Sequence, residues 1–381
     1  MPSRRIPFGI IGAGLMGREF AHATARWPVL LDLDVGPEIV GLCDTNPTLF
    51  SWFTENFPSV EIVTTDYHDL LASDEIEAVY CAVPHNLHAD LYIDIIRAGK
   101  HLVGEKPFGM DLEANARIMA AIAEHPEVLV RISSEFPFYP GAQRIVHAAR
   151  ENRFGTLIEV RSGIYHSSDL DPSKPINWKR MVEFNGAYGC MGDLGMHVVH
   201  LPFRFGWKPK NVRAFLSNIV LERPDKDGTL VPCETWDNAI LATEVVADRQ
   251  HFPMIIETKR IAPGETNTWY LEVLGTEYSI SFSTKYPRTL RTMKYRSGEE
   301  QTWQAIDLGY TSAYRTVTGS IFEFGLTDAI LQMWAAFLDE LAHGDRMLQP
   351  FTCATPHEAE CSHRLFTAAL ESERTGSVVE V

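Results

Sequence analysis

Three short stretches carry residue types that could do chemistry. The first is Glu105-Lys106-Pro107, directly after the apolar run His101–Gly104. A lysine beside another cation can lose its proton near neutrality and act as a base, and the neighbouring Glu105 would oppose that shift. Lys106–Pro107 is a candidate for cis geometry, because X-Pro bonds adopt it at low cost. The second is Gly192-Asp193-Leu194-Gly195-Met196-His197. If it is helical, Asp193 and His197 lie on one face, four residues apart. A carboxylate that holds a histidine ring orients it and stabilises its protonated form, as a base for a hydroxyl proton requires. Two other readings of the same spacing stay open. Asp193 could cap the helix with His197 packed in the core. Alternatively, Asp193, His197 and His200 could begin a metal site, which would need a further ligand.

The third stretch is Gly12-Ala13-Gly14-Leu15-Met16-Gly17, between the apolar run Phe8–Ile11 and the helix-compatible Arg18–Arg26. Strand, G-x-G-x-x-G and helix occur here in the order a dinucleotide fold requires. Gly12 allows the tight turn, Gly14 lets the backbone approach a pyrophosphate, and Gly17 lets helix and strand pack closely. The pyrophosphate would rest on the helix N-terminus. The next apolar run, Glu38–Cys43, ends at Asp44, which can accept from both ribose hydroxyls of NAD and repels a 2′-phosphate. Thr45-Asn46 offer no cation for that phosphate, so NAD is expected rather than NADP. A turn before Asn46-Pro47 is the competing role for Asp44.

The elements that must position these residues alternate to about residue 133. Apolar segments Ala78–Val83, His101–Gly104 and Val128–Ser133 are interleaved with helical segments Tyr67–Ala72, Leu87–Ala98 and Asp111–Glu124. Such alternation predicts an N-terminal, doubly wound parallel sheet of Rossmann type, with ligands beyond the strands' carboxyl ends. Gly14, Asp44, Pro84 and Lys106 all fall at such ends. The second half reads differently. Leu157–Tyr165, Asn211–Leu221, Ala239–Ala247, Met254–Arg260, Trp269–Leu274 and Ser279–Ser283 are β-like and joined by short turns. They predict an α+β domain with a large open, mainly antiparallel sheet. Helices are expected over Gly141–Asn152, around Gly192–Phe205, over Leu326–His343 and from Pro356 to about residue 375. The expected boundary is 1–133 against 134–381, with the last helix able to pack back on the first domain.

Composition agrees with a globular enzyme. The 381 residues carry a net charge of −16, which argues against nonspecific nucleic-acid binding. No apolar run is long enough to span a bilayer. Ser3-Arg4-Arg5 lacks a separate apolar region or cleavage site behind it, so a cytoplasmic protein is expected. Six cysteines without C-x-x-C spacing read as reduced thiols, and no metal is expected. Candidate substrate contacts follow the first strand of the second domain, at Tyr165, His166, Trp178, Lys179 and Arg180. Aromatic faces stack on sugar rings and arginine forks onto anionic groups. A solvated charged loop is the competing reading of Lys179 and Arg180.

The chain resembles the Gfo/Idh/MocA oxidoreductases, which include glucose–fructose oxidoreductase and inositol 2-dehydrogenase. The resemblance rests on the glycine turn, on Pro84 with His88, on Ala98-Gly99-Lys100-His101 leading into Glu105-Lys106-Pro107, and on Asp193-Leu194-Gly195-Met196-His197. It implies a Rossmann domain followed by an open-sheet domain, and oxidation of a ring hydroxyl of a sugar or cyclitol with NAD(P). It implies that Pro84, His85, Asn86, His88 and Glu105 line the cofactor, that Lys106 reaches the nicotinamide and substrate hydroxyl, and that His197 is the base beside Asp193. A homodimer or homotetramer through the open sheet is implied as well. The chain departs from the family pattern at His85, Cys190, His200 and Tyr278. Three functions follow: an NAD-dependent sugar or cyclitol dehydrogenase, an NAD-dependent glycoside hydrolase that borrows and returns the hydride, and a nonenzymatic NAD sensor. The same residues serve the first two.

Overall fold

The computed structural model describes residues 2–309 and 311–381. In chain order the first strands are β1 (Arg4–Ile11), β2 (Val35–Cys43), β3 (Ile62–Thr64), β4 (Ala78–Cys81), β5 (His101–Gly104) and β6 (Val130–Ile132). Between and after them come α1 (Leu15–Arg26), α2 (Phe50–Asn56), α3 (Tyr67–Leu71), α4 (His88–Arg97), α5 (Leu112–Glu124) and α6 (Pro140–Arg150). The remaining helices are α7 (Val182–Asn185), α8 (Cys190–Arg204), α9 (Leu326–His343) and α10 (Pro356–Thr375).

The chain divides into two compact units. The first comprises Met1–Gly109, Glu113–Phe138 and Thr311–Pro356. Its sheet runs β3-β2-β1-β4-β5-β6, all parallel. The strand order reverses between β1 and β4, and it is there that a doubly wound sheet opens a crevice. Strand β4 and the Phe8–Ile11 part of β1 are short apolar runs buried on both faces, as a parallel sheet demands. Helix α9 belongs to this unit, although the segment Tyr139–Tyr310 of the other unit precedes it. Trp334 and Phe337 pack against Phe8 and Phe20, with Trp334 and Phe20 ring centroids 4.0 Å apart. This division differs from the expected boundary in the placement of two helices. The returning segment is α9, whose residues from Ala329 to Asp339 are all buried, while α10 stays with the second unit.

The second unit comprises Met110–Leu112, Tyr139–Tyr310 and His357–Val381. Its main strands are β7 (Leu157–Tyr165), β8 (Pro209–Ser217), β11 (Asn238–Ala247), β12 (Gln250–Lys259), β13 (Thr268–Gly275), β14 (Tyr278–Ser283), β15 (Thr289–Lys294), β16 (Gln304–Asp307) and β17 (Val379–Glu380). A separate ribbon pairs β9 (Glu222–Pro224) with β10 (Leu230–Pro232). The large sheet runs β16-β15-β14-β13-β7-β12-β11-β8-β17 and is antiparallel except where β7 meets β12. Alternation puts Val160, Ser162 and Ile164 of β7 in the core, where Ser162 Oγ donates to Val198 O of α8 at 2.8 Å. Strands β15 and β16 and the β9–β10 ribbon lie beyond the β segments expected from sequence.

Candidate active site

In the first unit the glycines do what their spacing predicts. Gly12 has φ +105°, and a Cβ there would meet Ala82 O at 2.2 Å. A Cβ on Gly17 would lie 2.2 Å from Gly12 O. Gly14 is different: it is exposed, and a Cβ there would meet nothing within 4 Å. It is the N-cap of α1 and supplies no side-chain cap, so the amides of the first turn face open space. Leu15 is 76% exposed beside them, and Met16 is half-buried. Uncapped amides beside a bare glycine make a cradle that suits a pyrophosphate. Asp44 closes the turn from β2: Oδ2 accepts from Ala13 N and Oδ1 from Asn46 N, both at 2.8 Å. The same carboxylate therefore orders the glycine turn and makes the turn before Pro47.

The other strand ends contribute next. Pro84 precedes a short 3-10 turn, His85–Leu87, in which His85 is buried and the Asn86 Oδ1 is buried without a hydrogen-bond partner among the described residues. His88 is fully buried. Its Nε2 lies 3.1 Å from Val83 O and its Nδ1 accepts from Gly109 N at 3.5 Å. It braces the loop after β4 against the loop after β5 and presents no exposed surface. Glu105 also faces inward: Tyr80 Oη donates to Oε1 at 2.7 Å and Tyr92 Oη to its carbonyl at 2.9 Å. Lys106, next in the chain, is half-buried, and the Lys106–Pro107 bond is cis.

In the second unit Asp193 and His197 lie on α8, one turn apart. Gly189 is the N-cap, so Asp193 is not the helix cap. Gly189 has φ +57°, and a Cβ there would stand 2.6 Å from Trp236 N. Asp193 is 1% exposed and faces two cations: Lys179 Nζ at 3.0 Å from Oδ1, and Arg260 Nη2 against Oδ2. His197 is nearly buried, and Trp269 Nε1 donates to its carbonyl at 2.8 Å. His200 turns to a separate network, 2.9 Å from Arg204 Nη2 and 3.3 Å from Glu358. Burial lowers its pKa to about 4, so it is neutral. It does not converge with Asp193 and His197 on a metal, and no group of His, Cys, Asp or Glu among the described residues could hold one.

The candidate substrate residues separate. Trp178 and Lys179 form a half-buried 3-10 turn in which Lys179 Nζ lies 5.5 Å from the indole centre. Lys179 thus stands with Asp193. Arg180 is fully buried instead, with Nη2 donating to Asn218 Oδ1 at 2.8 Å and to Asp237 at 3.3 Å. It ties the turn to β8 and β11, which corrects both its expected substrate contact and the solvated-loop reading. Tyr165 is corrected too. Alternation along β7 places it on the face away from α8, where it donates to Glu257 Oε2 at 2.6 Å and meets Tyr270 Oη at 3.1 Å. His166, one residue on, is half-buried, and its amide donates to Lys259 O. Sequence reasoning missed Arg260, Trp269, Tyr80 and Tyr92. No motif marks them, because each meets its partner through sheet or helix packing.

Comparison with known proteins agrees with this architecture. Residues 6–133 match the family model described as GFO_IDH_MocA, oxidoreductase family, NAD-binding Rossmann fold. The chain is 26% identical to levoglucosan dehydrogenase of Pseudarthrobacter phenanthrenivorans, over 83% of this chain and 81% of that protein. It is 27% identical to glucose-6-phosphate 3-dehydrogenase of Bacillus subtilis, over 74% and 76% of the two chains. The solved structure of levoglucosan dehydrogenase in complex with NADH and L-sorbose superposes with a TM-score of 0.86 at 21% identity, covering 99% of each chain. The glycine turn closed by Asp44 and the parallel sheet lead to one assignment: residues 6–133 form an NAD-binding Rossmann domain of the GFO_IDH_MocA oxidoreductase family.

Proposed function

We propose that the protein is a sugar dehydrogenase that oxidises a secondary ring hydroxyl, with NAD as hydride acceptor. The observation that carries the reading is Asp193: a buried carboxylate held by Lys179 and Arg260, one helical turn from His197. A carboxylate so anchored can fix the orientation of a neighbouring base, which proton abstraction requires. Bound NAD supplies the hydride acceptor at C4 of its nicotinamide. The Gly12–Gly17 turn binds the pyrophosphate and Asp44 the ribose. Lys106 in the first unit and His197 in the second are the two candidate bases, and one of them receives the hydroxyl proton as the carbon-bound hydrogen leaves. Lys179, Trp178 and His166 contact the sugar. The named relatives, which act on levoglucosan and glucose 6-phosphate, support a sugar-type substrate.

The test is NADH formation followed by absorbance, with levoglucosan and a panel of neutral and phosphorylated sugars. Lys106→Ala and His197→Ala each lose at least about 100-fold in kcat, the scale of general acid–base contributions, while NADH still binds. Phenol release from chromogenic glycosides without NADH formation would replace this reading with hydrolysis. The open sheet face supports a second copy of the chain as partner, since Phe215, Ile240 and Ile255 punctuate a charged surface there. Light scattering at micromolar protein would show a dimer or tetramer.

A further inference from the structure

A second carboxylate stands behind Lys106. Glu135 follows β6 by three residues, and β6 lies next to β5 in the sheet. The two strand ends are stitched together by Ser133 N donating to Gly104 O at 3.0 Å. Beyond that bond Glu105 and Lys106 follow one strand and Glu135 the other, and the charges of Glu105 and Lys106 both act on Glu135. Glu105 is 8% exposed and Glu135 is 7% exposed. Glu135 opens the 3-10 turn Phe136–Phe138, where its carbonyl accepts from Phe138 N at 2.9 Å. All three side chains of that turn are buried, as is Glu135 itself.

The charged groups that act on it come from each neighbouring element: Glu105 and Lys106 after β5, and Glu19 on α1. Its charge in turn acts on Tyr80 of β4. Helix α9 reaches this segment through Met333 Sδ, which accepts from Ser134 N at 3.2 Å. The ionisable groups near the end of α9 are occupied elsewhere, Glu340 with Arg131 and Asp339 with Tyr314 and His343. Burial pushes the Glu135 carboxyl up to about 7, Glu105 and Glu19 add to the shift, and its own backbone N–H and Lys106 pull the other way. Lys106 is therefore a cation that acts on Glu135 against the acids Glu105 and Glu19.

We propose that Glu135 is a positioning residue that shares one proton with Lys106 and so sets the protonation state of that lysine. This rests on the reading of Lys106 given under Proposed function. In one state the pair is ammonium and carboxylate. In the other the proton has crossed to the Glu135 oxygen, leaving a neutral amine and a neutral acid. No other bond changes. Beside a bound nicotinamide cation the ammonium is disfavoured by like charge, and Glu135 takes the proton. Lys106 Nζ is then free to accept the substrate's hydroxyl proton as the hydride departs. Two groups coupled in this way titrate as a pair, not singly.

Infrared difference spectroscopy between pH 5.5 and 8.5 tests the pairing on the whole protein without substrate. Wild type should show a protonated-carboxyl carbonyl band that fades with a midpoint near 7, and Glu135→Gln should lack it. Lys106→Met should move the midpoint up by about one pH unit, because the lost cation favoured the carboxylate. Absence of the band, or an unmoved midpoint in Lys106→Met, would overturn the proposal. Kinetics with levoglucosan, or another sugar that yields NADH, provide the second arm. Glu135→Gln should lose about tenfold or more in kcat and flatten the pH profile around 7. KM for NAD should stay within about twofold, and Glu135→Asp should recover part of the rate. An unchanged kcat and pH profile in Glu135→Gln would also overturn it. If no sugar yields NADH with wild type, the dehydrogenase reading fails, whereas the infrared result still decides whether Glu135 and Lys106 share a proton.

Discussion

Gly14→Ala separates folding from cofactor binding more cleanly than any other change in the glycine turn. Gly14 has φ −70° and ψ −155°, a conformation that alanine adopts without strain. Its added Cβ would meet no atom of the protein within 4 Å. Alanine is a poorer N-cap than glycine, which costs about 1 kcal/mol or less. The methyl group would instead fill the space proposed for a phosphate oxygen beside the first-turn amides of α1. Holding that oxygen off costs one charge-assisted hydrogen bond, about 1.5–3 kcal/mol. In affinity this is roughly 10- to 150-fold in Kd for NADH. Gly17→Ala is the contrast. Its Cβ would lie 2.2 Å from Gly12 O and 3.4 Å from Ile10 Cγ2, so α1 must lift off the strand, at about 1–3 kcal/mol of fold stability. Urea unfolding and NADH fluorescence titration, run on both variants, separate the two effects. A folded Gly14→Ala protein that binds NADH as wild type does would refute the pyrophosphate assignment.

Other perturbations test other parts of the molecule. Asp44→Ala removes the acceptor of Ala13 N and Asn46 N as well as the proposed ribose ligand, so NADH affinity should fall by about tenfold or more, as expected for losing a charged acceptor; unchanged affinity in isothermal titration would remove the ribose role. Trp334→Ala should cost about 3–5 kcal/mol in urea unfolding, because the ring is buried among Phe8, Phe20, Tyr80 and Phe337. His200 predicts a pH dependence. The unfolded histidine takes up a proton below about 6.5, whereas the buried one resists until about 4. The unfolded state therefore binds more protons in that window, and stability falls as pH drops through it, by about 3 kcal/mol in total. His200→Asn should flatten this part of the stability–pH curve, and an unchanged slope would show that His200 does not carry it.

Much of the first unit was legible because its signals are local. A parallel sheet buried on both faces writes short apolar runs into the chain, and a tight turn with a close helix approach demands glycine at Gly12 and Gly17. Helix α9 was legible as a helix from the spacing of Ile330, Met333, Trp334, Phe337 and Leu338, yet nothing in that spacing says which sheet it covers. Strands β15 and β16 were not legible. Strand β16 is exposed throughout and β15 buries only Leu290 and Thr292, so neither carries a strong apolar pattern.

By itself the sequence determined the glycine turn, the acid at the end of β2, the lysine at the end of β5 and the helical pairing of Asp193 with His197. Each depends on residues within a few positions of one another, where backbone geometry alone sets direction. Only the tertiary structure decided what those residues meet. Asp193 finds Lys179 and Arg260 on separate elements, and Arg180 is drawn inward by Asp237, 57 residues away. Tyr165 lies across the sheet from α8 because strand side chains alternate. Ser133, two residues before Glu135, bonds to Gly104 because β5 and β6 are neighbours in the sheet. Charge pairing and burial act through space, and the chain encodes them only through the fold that brings distant residues together.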